Sequence, residues 1–285
     1  MLNRTVQVSI TTRDRWPVLA ETLAQLRQFG LGAYDVAVVD DGSVQPCPYD
    51  IAALLPSASL QRYEEAKGLI VRRNQLMRRL NADFVLQVDD DSFPVAGSLA
   101  QAVAFLTTQP NALAATFPVH DPVAGVEQVK SLAAQPYQTK AFIGCAALIN
   151  RAQFLRLGGY RDELVHFMEE RDVAARGFRQ GCVCFHYPQL RFYHVRTPVG
   201  RNWTRMDFYG ARNNVLWNDW YVPDRLQFYQ NSRLLVSRFF VLLRTRRWDN
   251  ARGHVRGIQD RRAFRRFRRR MSAAAFREWR RLPDY

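Results

Sequence analysis

Long apolar runs are missing from this chain. None approaches the ~18 consecutive residues that a bilayer-spanning helix needs. The greasiest stretch, Leu234 to Leu243, is short and is interrupted by Arg238, so no membrane span is expected. Cysteine is scarce too, with four in 285 residues. Cys47 and Cys145 stand alone, and Cys182-Val183-Cys184 lacks the C-x-x-C spacing of zinc ribbons and redox pairs. Small core residues are their expected role. The first residues, Met1-Leu2-Asn3-Arg4, run straight into a strand pattern without the apolar core of a signal peptide. A cytoplasmic protein is therefore expected. Helix-turn-helix, zinc-finger and RNA-recognition signatures are also absent, so no specific nucleic-acid partner is expected.

What is present is a globular composition. With 47% hydrophobic and 24% charged residues, wholesale disorder is excluded. The length suits one large domain or two small ones with a well-buried core. The net charge of +15 is unevenly placed. Arginines crowd the chain from Arg244 onward, while the first two-thirds is close to balanced.

Phe84 to Val88 is a short apolar run that reads as a buried strand, and it ends on Asp89-Asp90-Asp91-Ser92. Three adjacent carboxylates do not fit inside a sheet, because an unpaired buried charge costs several kcal/mol or neutralises itself. They belong at the strand's carboxyl end, the edge where open α/β sheets bind ligands. Clustered oxygens there suit Mg²⁺ or Mn²⁺ shared with phosphates. An acidic loop that caps a following helix, with Asp91 or Ser92 as N-cap, is the other reading.

The neighbouring segments repeat the theme. Val6 to Ile10 alternates as a strand, Trp16-Pro17 opens a helix to about Phe29, and Tyr34 to Val39 is a second strand ending on Asp40-Asp41-Gly42-Ser43. Strand, helix, strand within some forty residues is a βαβ unit and implies a parallel sheet. The second acidic turn either accepts hydrogen bonds from a base or ribose, or merely serves turn geometry. Lys67-Gly68 precedes a basic helix through Arg72, Arg73 and Asn74 to Leu80, and positive charge there suits a diphosphate or a solvated face. Further along, a helix is expected over 95–110, a strand over Leu113 to Val119 and a loop over 120–138. A small-residue strand over Phe142 to Ile149 and a short helix from Arg151 to Leu157 follow. His166 to Arg176 places Glu169, Glu170 and Asp172 at a helix start, which suits the macrodipole and also holds a carboxylate ready beside a substrate. Short strands over Val183 to His186 and Leu190 to His194 close this part.

Taken in this order, from about Val6 to about Trp217, the chain resembles the family 2 glycosyltransferases of the GT-A fold. The resemblance rests on Val38-Val39-Asp40-Asp41-Gly42-Ser43, Arg73-Asn74, the D-x-D-type Asp89-Asp90-Asp91, Gly144 to Arg151, Gly158-Gly159-Tyr160 and Glu169-Glu170-Arg171-Asp172-Val173. Tyr209 to Asn214 further resembles a bacterial branch that includes rhamnosyltransferases. The resemblance implies a Rossmann-like, mixed but mainly parallel sheet flanked by helices. It implies a catalytic domain over 1–225 and an Arg-rich helical extension over 226–285. Thr11, Arg13, Asp40, Asp41, Lys67, Arg73, Asn74, Asp89 and Asp90 would then meet the nucleotide-sugar. Asp89 and Asp91, with His194, would hold Mg²⁺ or Mn²⁺; a histidine satisfied by a backbone carbonyl is the alternative for His194. Glu170 stands where the family usually has an aspartate as base, and the longer arm leaves Glu169 and Asp172 as alternatives.

The implied chemistry is inverting transfer of one sugar from a nucleotide-diphosphate donor to the hydroxyl of a saccharide or lipid-linked acceptor, as in bacterial surface glycan or glycolipid synthesis. Arg244 to Trp248 lacks the glutamine of the Q-x-x-R-W element of processive relatives, so transfer of single sugars is expected. The tail alternates arginines with Phe264 and Phe267, a pattern that suits an anionic membrane surface on the inner face of the cell membrane. A helix packed on the catalytic domain is the other reading. The rival classes are a nucleic-acid-binding or non-catalytic nucleotide-binding protein acting through this tail, and a nucleotidyltransferase. The last would need a Gly-rich, Lys-containing loop where Thr11-Thr12-Arg13-Asp14 stands.

Overall fold

The computed structural model describes residues 5–197 and 202–285. Its first half follows the hydrophobic pattern. β1 (Val6–Thr12) leads to α1 (Trp16–Gln28), with Pro17 in the first turn where a missing N–H is harmless. Then come β2 (Asp35–Asp40), the short α2 (Ile51–Leu54), β3 (Ala58–Arg62), α3 (Leu69–Arg79) and β4 (Phe84–Asp89). β1 pairs in parallel with β2 and with β4, and β2 with β3. α2 and β3 are illegible in the sequence because β3 is an edge strand with no fully buried residue to mark its faces.

Beyond β4 the chain departs from the expected pattern. β5 (Ser92–Ala96) follows the three aspartates directly, so no helix is capped by Asp91 or Ser92. The helix expected over 95–110 is α4 (Leu99–Thr107), because Ser98 caps it by accepting from the Gln101 N–H. β6 (Ala112–Thr116) is followed by β7 (Val119–Asp121), β8 (Val126–Val129) and β9 (Tyr137–Thr139), where a loop over 120–138 was expected. Asp121 makes the β7–β8 hairpin by accepting from the Val123 and Ala124 N–H groups. β10 (Ala146–Asn150) begins four residues later than its apolar run. α5 (Arg151–Arg156), α6 (Glu169–Phe178), β11 (Val183–His186) and β12 (Arg191–His194) complete the region.

The main sheet has the order β3-β2-β1-β4-β10-β6-β11-β9, and a second sheet runs β5-β12-β7-β8. β10 lies antiparallel between β4 and β6, which makes the main sheet mixed. Both its faces are covered. Val36, Val38, Leu86 and Val88 pack on the α1 side, while Ala37, Val39 and Val85 pack on the side of α3, α5 and α6. Strands buried on both faces explain the near-continuous apolar runs.

The C-terminal region consists of α7 (Trp203–Tyr221), α8 (Asp224–Thr245), α9 (Trp248–Asp260) and α10 (Ala273–Arg281). α9 lies against α7 at backbone distance: a Cβ on Gly253 would sit 2.1 Å from the Phe208 carbonyl oxygen. Buried Asp219 on α7 accepts from Arg261 Nε at 2.9 Å and from Arg268 Nη2 at 2.9 Å. Those contacts draw the arginine-rich turn back onto the body. Met271, Phe276 and Trp279 are then buried in the same core as α6 and α7. Arg261, Arg268 and Arg270 are partly covered against Asp219, while most other tail arginines stay exposed and α8 keeps Phe228, Tyr229, Leu235, Val236 and Phe240 exposed. Among the described residues, no helix is long and apolar enough to cross a membrane.

Candidate active site

Parallel pairing of β1, β2 and β4 brings their carboxyl ends to one edge. In register, Thr12 stands beside Asp40, and Thr11 beside Asp89. Asp41 accepts from the Lys67 N–H at 2.7 Å, the Gly68 N–H at 2.8 Å and Arg72 Nε at 2.7 Å. It therefore anchors the loop that opens the basic helix. Asp40 accepts from the Ser43 N–H and hydroxyl and lies 3.5 Å from Arg62 Nε. Arg13 is exposed and pairs with Asp14, and the Lys67 ammonium lies 3.4 Å from Glu65.

The three aspartates have different partners. Asp90 accepts from the Thr12 hydroxyl at 2.6 Å and from Arg15 Nη1 at 2.5 Å. Burial, only partly offset by Arg15, pushes Asp90 up to about 7. Asp91 accepts from Arg15 Nη2 at 2.7 Å and lies 3.0 Å from His194 Nε2. Burial alone would raise its pKa, but His194 and Arg15 outweigh that and hold Asp91 well below the usual carboxylate range. His194 in turn is pushed up to about 10, because its contacts with Asp91 and Cys145 overcome the effect of burial. Antiparallel pairing of His194 with Ser92 brings it here from the second sheet.

Asp89 joins the two halves of the site. Arg73, itself buried, reaches Asp89 Oδ1 at 2.5 Å, Glu170 Oε1 at 3.4 Å and Glu169 Oε1 at 3.5 Å. One guanidinium thus ties the aspartate cluster to the acids of α6. Gly144 permits this approach: a Cβ there would sit 2.2 Å from Glu170 Oε1 and 2.5 Å from Arg73 Nη1. Burial pushes Glu169 up to about 8, with Glu170 adding repulsion and Arg73 opposing. Glu170 is raised as well, by burial against the pull of Arg73.

The start of α6 is held in an unusual backbone. Val165, Phe167 and Met168 all have positive φ, at 63°, 68° and 73°. Left-handed non-glycine residues cost of order 1–3 kcal/mol each and persist only where the surroundings fix them. Here Asn213 on α7 donates through Nδ2 to the carbonyls of Leu164, His166 and Phe167.

Two expected site residues are engaged inside the fold. Asn74 donates to the Tyr160 carbonyl at 2.9 Å and to Asp162 at 2.7 Å, and accepts from the Tyr160 N–H at 2.9 Å. Asp172 is fully buried, with one oxygen held by Arg161 and the Tyr221 hydroxyl and the other by Arg176. Glu170 keeps 18% of its side chain exposed, against 4% for Glu169 and none for Asp172.

Three further residues of the site gave no sequence signal. Arg15 lies in a polar loop, and nothing local pairs it with Asp90 and Asp91. Cys145 reads as a core residue, yet its thiol, a carboxylate oxygen of Asp89 and a ring nitrogen of His194 all lie within 4.8 Å of one another. That donor set fits a divalent cation. Tyr285 keeps 39% of its surface exposed, yet desolvation of its phenol, with Glu170 the foremost charge, pushes that group up to about 12. Lys140 anchors this segment through its N–H, which donates to the Pro283 carbonyl at 2.9 Å.

The family sequence model described as "Glycosyl transferase family 2" matches residues 7–158, more than half of the chain. The chain belongs to glycosyl transferase family 2. Among curated relatives of this family 2 glycosyltransferase are the "Pre-mycofactocin glycosyltransferase" proteins of two Mycobacterium tuberculosis strains, CDC 1551 / Oshkosh and H37Rv. Each is 28% identical over 224 residues, covering 73% of this chain and 47% of the relative. The chain thus spans about half the length of the curated relatives it matches. Among solved structures, the mannosyltransferase PcManGT from Pyrobaculum calidifontis, in complex with GDP-Man and Mn²⁺, is similar over 96% of this chain and 78% of its own. Its TM-score is 0.58 at 18% identity. GalNAc-T7 with UDP, GalNAc and Mn²⁺ has a TM-score of 0.58 at 15% identity, over 75% of this chain and 51% of its own. These likenesses identify the GT-A fold of this glycosyltransferase.

Proposed function

We propose that this enzyme is an inverting, metal-dependent transferase that moves one sugar from a nucleoside-diphosphate donor to an acceptor hydroxyl. The reading rests above all on Arg73, which bridges the aspartate cluster at the sheet edge and a separate pair of acids. Transfer with inversion needs those two features: one site for the departing diphosphate and one base for the incoming hydroxyl. The nucleotide and Mn²⁺ named with two structures of the same fold point the same way.

Residues 1–225 carry catalysis in this proposal, with 226–285 as the extension. Thr11, Arg13, Asp40, Asp41, Lys67, Arg73, Asp89 and Asp90 line the donor side, and Asn74 supports it by fixing the 159–162 turn to α3. Asp89, Asp91 and His194 would hold Mg²⁺ or Mn²⁺, and the ion would supply positive charge to offset that developing on the diphosphate. Glu170 accepts the proton of the acceptor hydroxyl. The acceptor oxygen attacks the anomeric carbon as the bond to the diphosphate breaks, so the centre inverts. Glu169 is more deeply buried, and the charge of Glu170 adds to the burial that raises its pKa.

Calorimetric titration of UDP, dTDP and GDP, each with and without Mn²⁺ or Mg²⁺, tests this on wild type and Asp91→Ala. One nucleotide is expected to bind, about tenfold or more tighter with metal, and Asp91→Ala is expected to lose that gain. Failure of folded wild-type protein to bind any of the three would overturn the reading.

The acceptor is a saccharide or a lipid-linked glycan, and α8 supports peripheral attachment to an anionic leaflet. Arg225, Tyr229, Arg233, Val236, Phe240 and Arg244 recur at three- and four-residue spacing, and all are exposed. Such a mixed basic and apolar stripe suits the headgroup boundary. Co-sedimentation with phosphatidylglycerol vesicles at low salt is expected, weakened in Arg233→Glu/Phe240→Ser. Equal retention by neutral and anionic vesicles would contradict it.

A further inference from the structure

The metal-binding side of the proposed function names carboxylates and one histidine, but the structure places a sulfur there as well. Ala146 of β10 pairs with Val88 of β4, so the preceding residue, Cys145, falls beside Asp89. Its backbone is held at that spot: the Ser92 hydroxyl donates to the Cys145 carbonyl at 2.6 Å, and Gln87 Nε2 donates to the Gly144 carbonyl at 2.9 Å. The thiol, a carboxylate oxygen of Asp89 and a ring nitrogen of His194 all lie within 4.8 Å of one another. Ligands at about 2.0–2.3 Å from one tetrahedral ion lie roughly 3.3–3.8 Å apart, so the three need close by no more than about 1.5 Å.

The histidine is aimed by a second residue. Gln128 Nε2 donates to the His194 backbone carbonyl at 3.2 Å, which turns Gln128 Oε1 towards His194 Nδ1 at 2.8 Å. A carboxamide oxygen only accepts, so Nδ1 carries the hydrogen and Nε2 is the ring nitrogen left to bind. Nε2 is also the atom 3.0 Å from Asp91 Oδ1, which puts a further oxygen at the same spot. An amide that fixes the tautomer of a ligand histidine is the outer support that metal sites use.

We propose that Cys145 completes a mixed sulfur, nitrogen and oxygen cation site with Asp89 and His194, so that this enzyme accepts borderline and soft divalent ions such as Co²⁺ and Cd²⁺. The inference rests on the reading of Asp89 and His194 as metal-side residues. Soft thiolate ligands shift a site's preference away from Mg²⁺, which favours oxygen, towards later transition metals. Binding releases the Cys145 thiol proton and the His194 Nε2 proton to solvent, and no redox change occurs.

The test is titration of the full chain with Co²⁺, read by absorbance, on wild type, Cys145→Ser and Cys145→Ala, with thermal unfolding as the fold control. A near-ultraviolet thiolate-to-cobalt charge-transfer band is expected in wild type and absent in both variants. Competition binding should show the Cd²⁺ to Mg²⁺ affinity ratio falling about tenfold or more in each variant. Co²⁺ binding without the band, alongside metal-dependent nucleotide binding, would overturn the cysteine's role and leave the proposed function intact. No Co²⁺ binding by wild type, with or without nucleotide, would overturn the cation site itself. A band that survives in Cys145→Ser and Cys145→Ala would assign the sulfur elsewhere and overturn the inference.

Discussion

Replacing Glu170 with Gln is expected to lower the rate of sugar transfer by about 10²–10⁴ while leaving nucleotide affinity nearly unchanged, because a general base contributes that much and does not touch the donor's nucleotide. Glutamine keeps the size of the side chain and the contact with Arg73 but cannot take a proton. The pH profile adds a second readout. The base works ionised, and burial raises the Glu170 pKa above the ordinary carboxylate value. The rate should therefore fall as pH drops through that raised pKa, at higher pH than an unperturbed glutamate would give. Glu169 stands beside it, so the limb belongs to the pair and not to one residue. In Glu170→Gln the limb should shift or vanish. Transfer is best followed by mass spectrometry of the product, which also reports whether sugars are added singly. A Glu170→Gln enzyme within about threefold of wild type would remove Glu170 from the role of base; a matching loss in Glu169→Gln would then assign the role to its neighbour.

Asp172→Asn is expected to cost stability instead. Asp172 is buried between Arg161, Arg176 and the Tyr221 hydroxyl, and both its oxygens are in use. Arg161 and Arg176 are themselves largely covered. Removing one partner of a buried charge cluster strands the others, at about 3–5 kcal/mol. For a chain of this size that corresponds to a drop in Tm of roughly 6–20 °C. Nucleotide affinity below the new midpoint should stay close to wild type, since no Asp172 oxygen is left over for a ligand. A drop in Tm of less than about 2 °C would contradict this account.

Much of the fold was legible because its causes are local. Strands buried on both faces write continuous apolar runs, and a charge cluster at the end of such a run marks the sheet edge. The βαβ unit, β4 with its three aspartates, and α6 with its acidic first turn all follow from that. The misplaced segments lacked such a signal. β3 is an edge strand without buried residues, and β7 and β8 form a small hairpin in the second sheet, with little apolar surface to repeat.

The sequence by itself therefore determined the α/β class, the acidic edge and the family. Only the tertiary structure decided what each acid does. Glu169, Glu170 and Asp172 are equivalent on paper, and their partners separate them: Arg161 and Arg176 engage Asp172, while Glu170 meets an arginine 97 positions away. Arg15 reaches Asp90 across 75 positions, and Cys145 reaches the aspartate cluster through strand register. Asn213 fixes the strained turn before α6 from the far side of 46 residues of chain. Periodicity and local charge record whether a residue is buried and on which face. Which groups then meet depends on packing between distant segments, and that packing sets the charge, geometry and burial on which the chemistry depends.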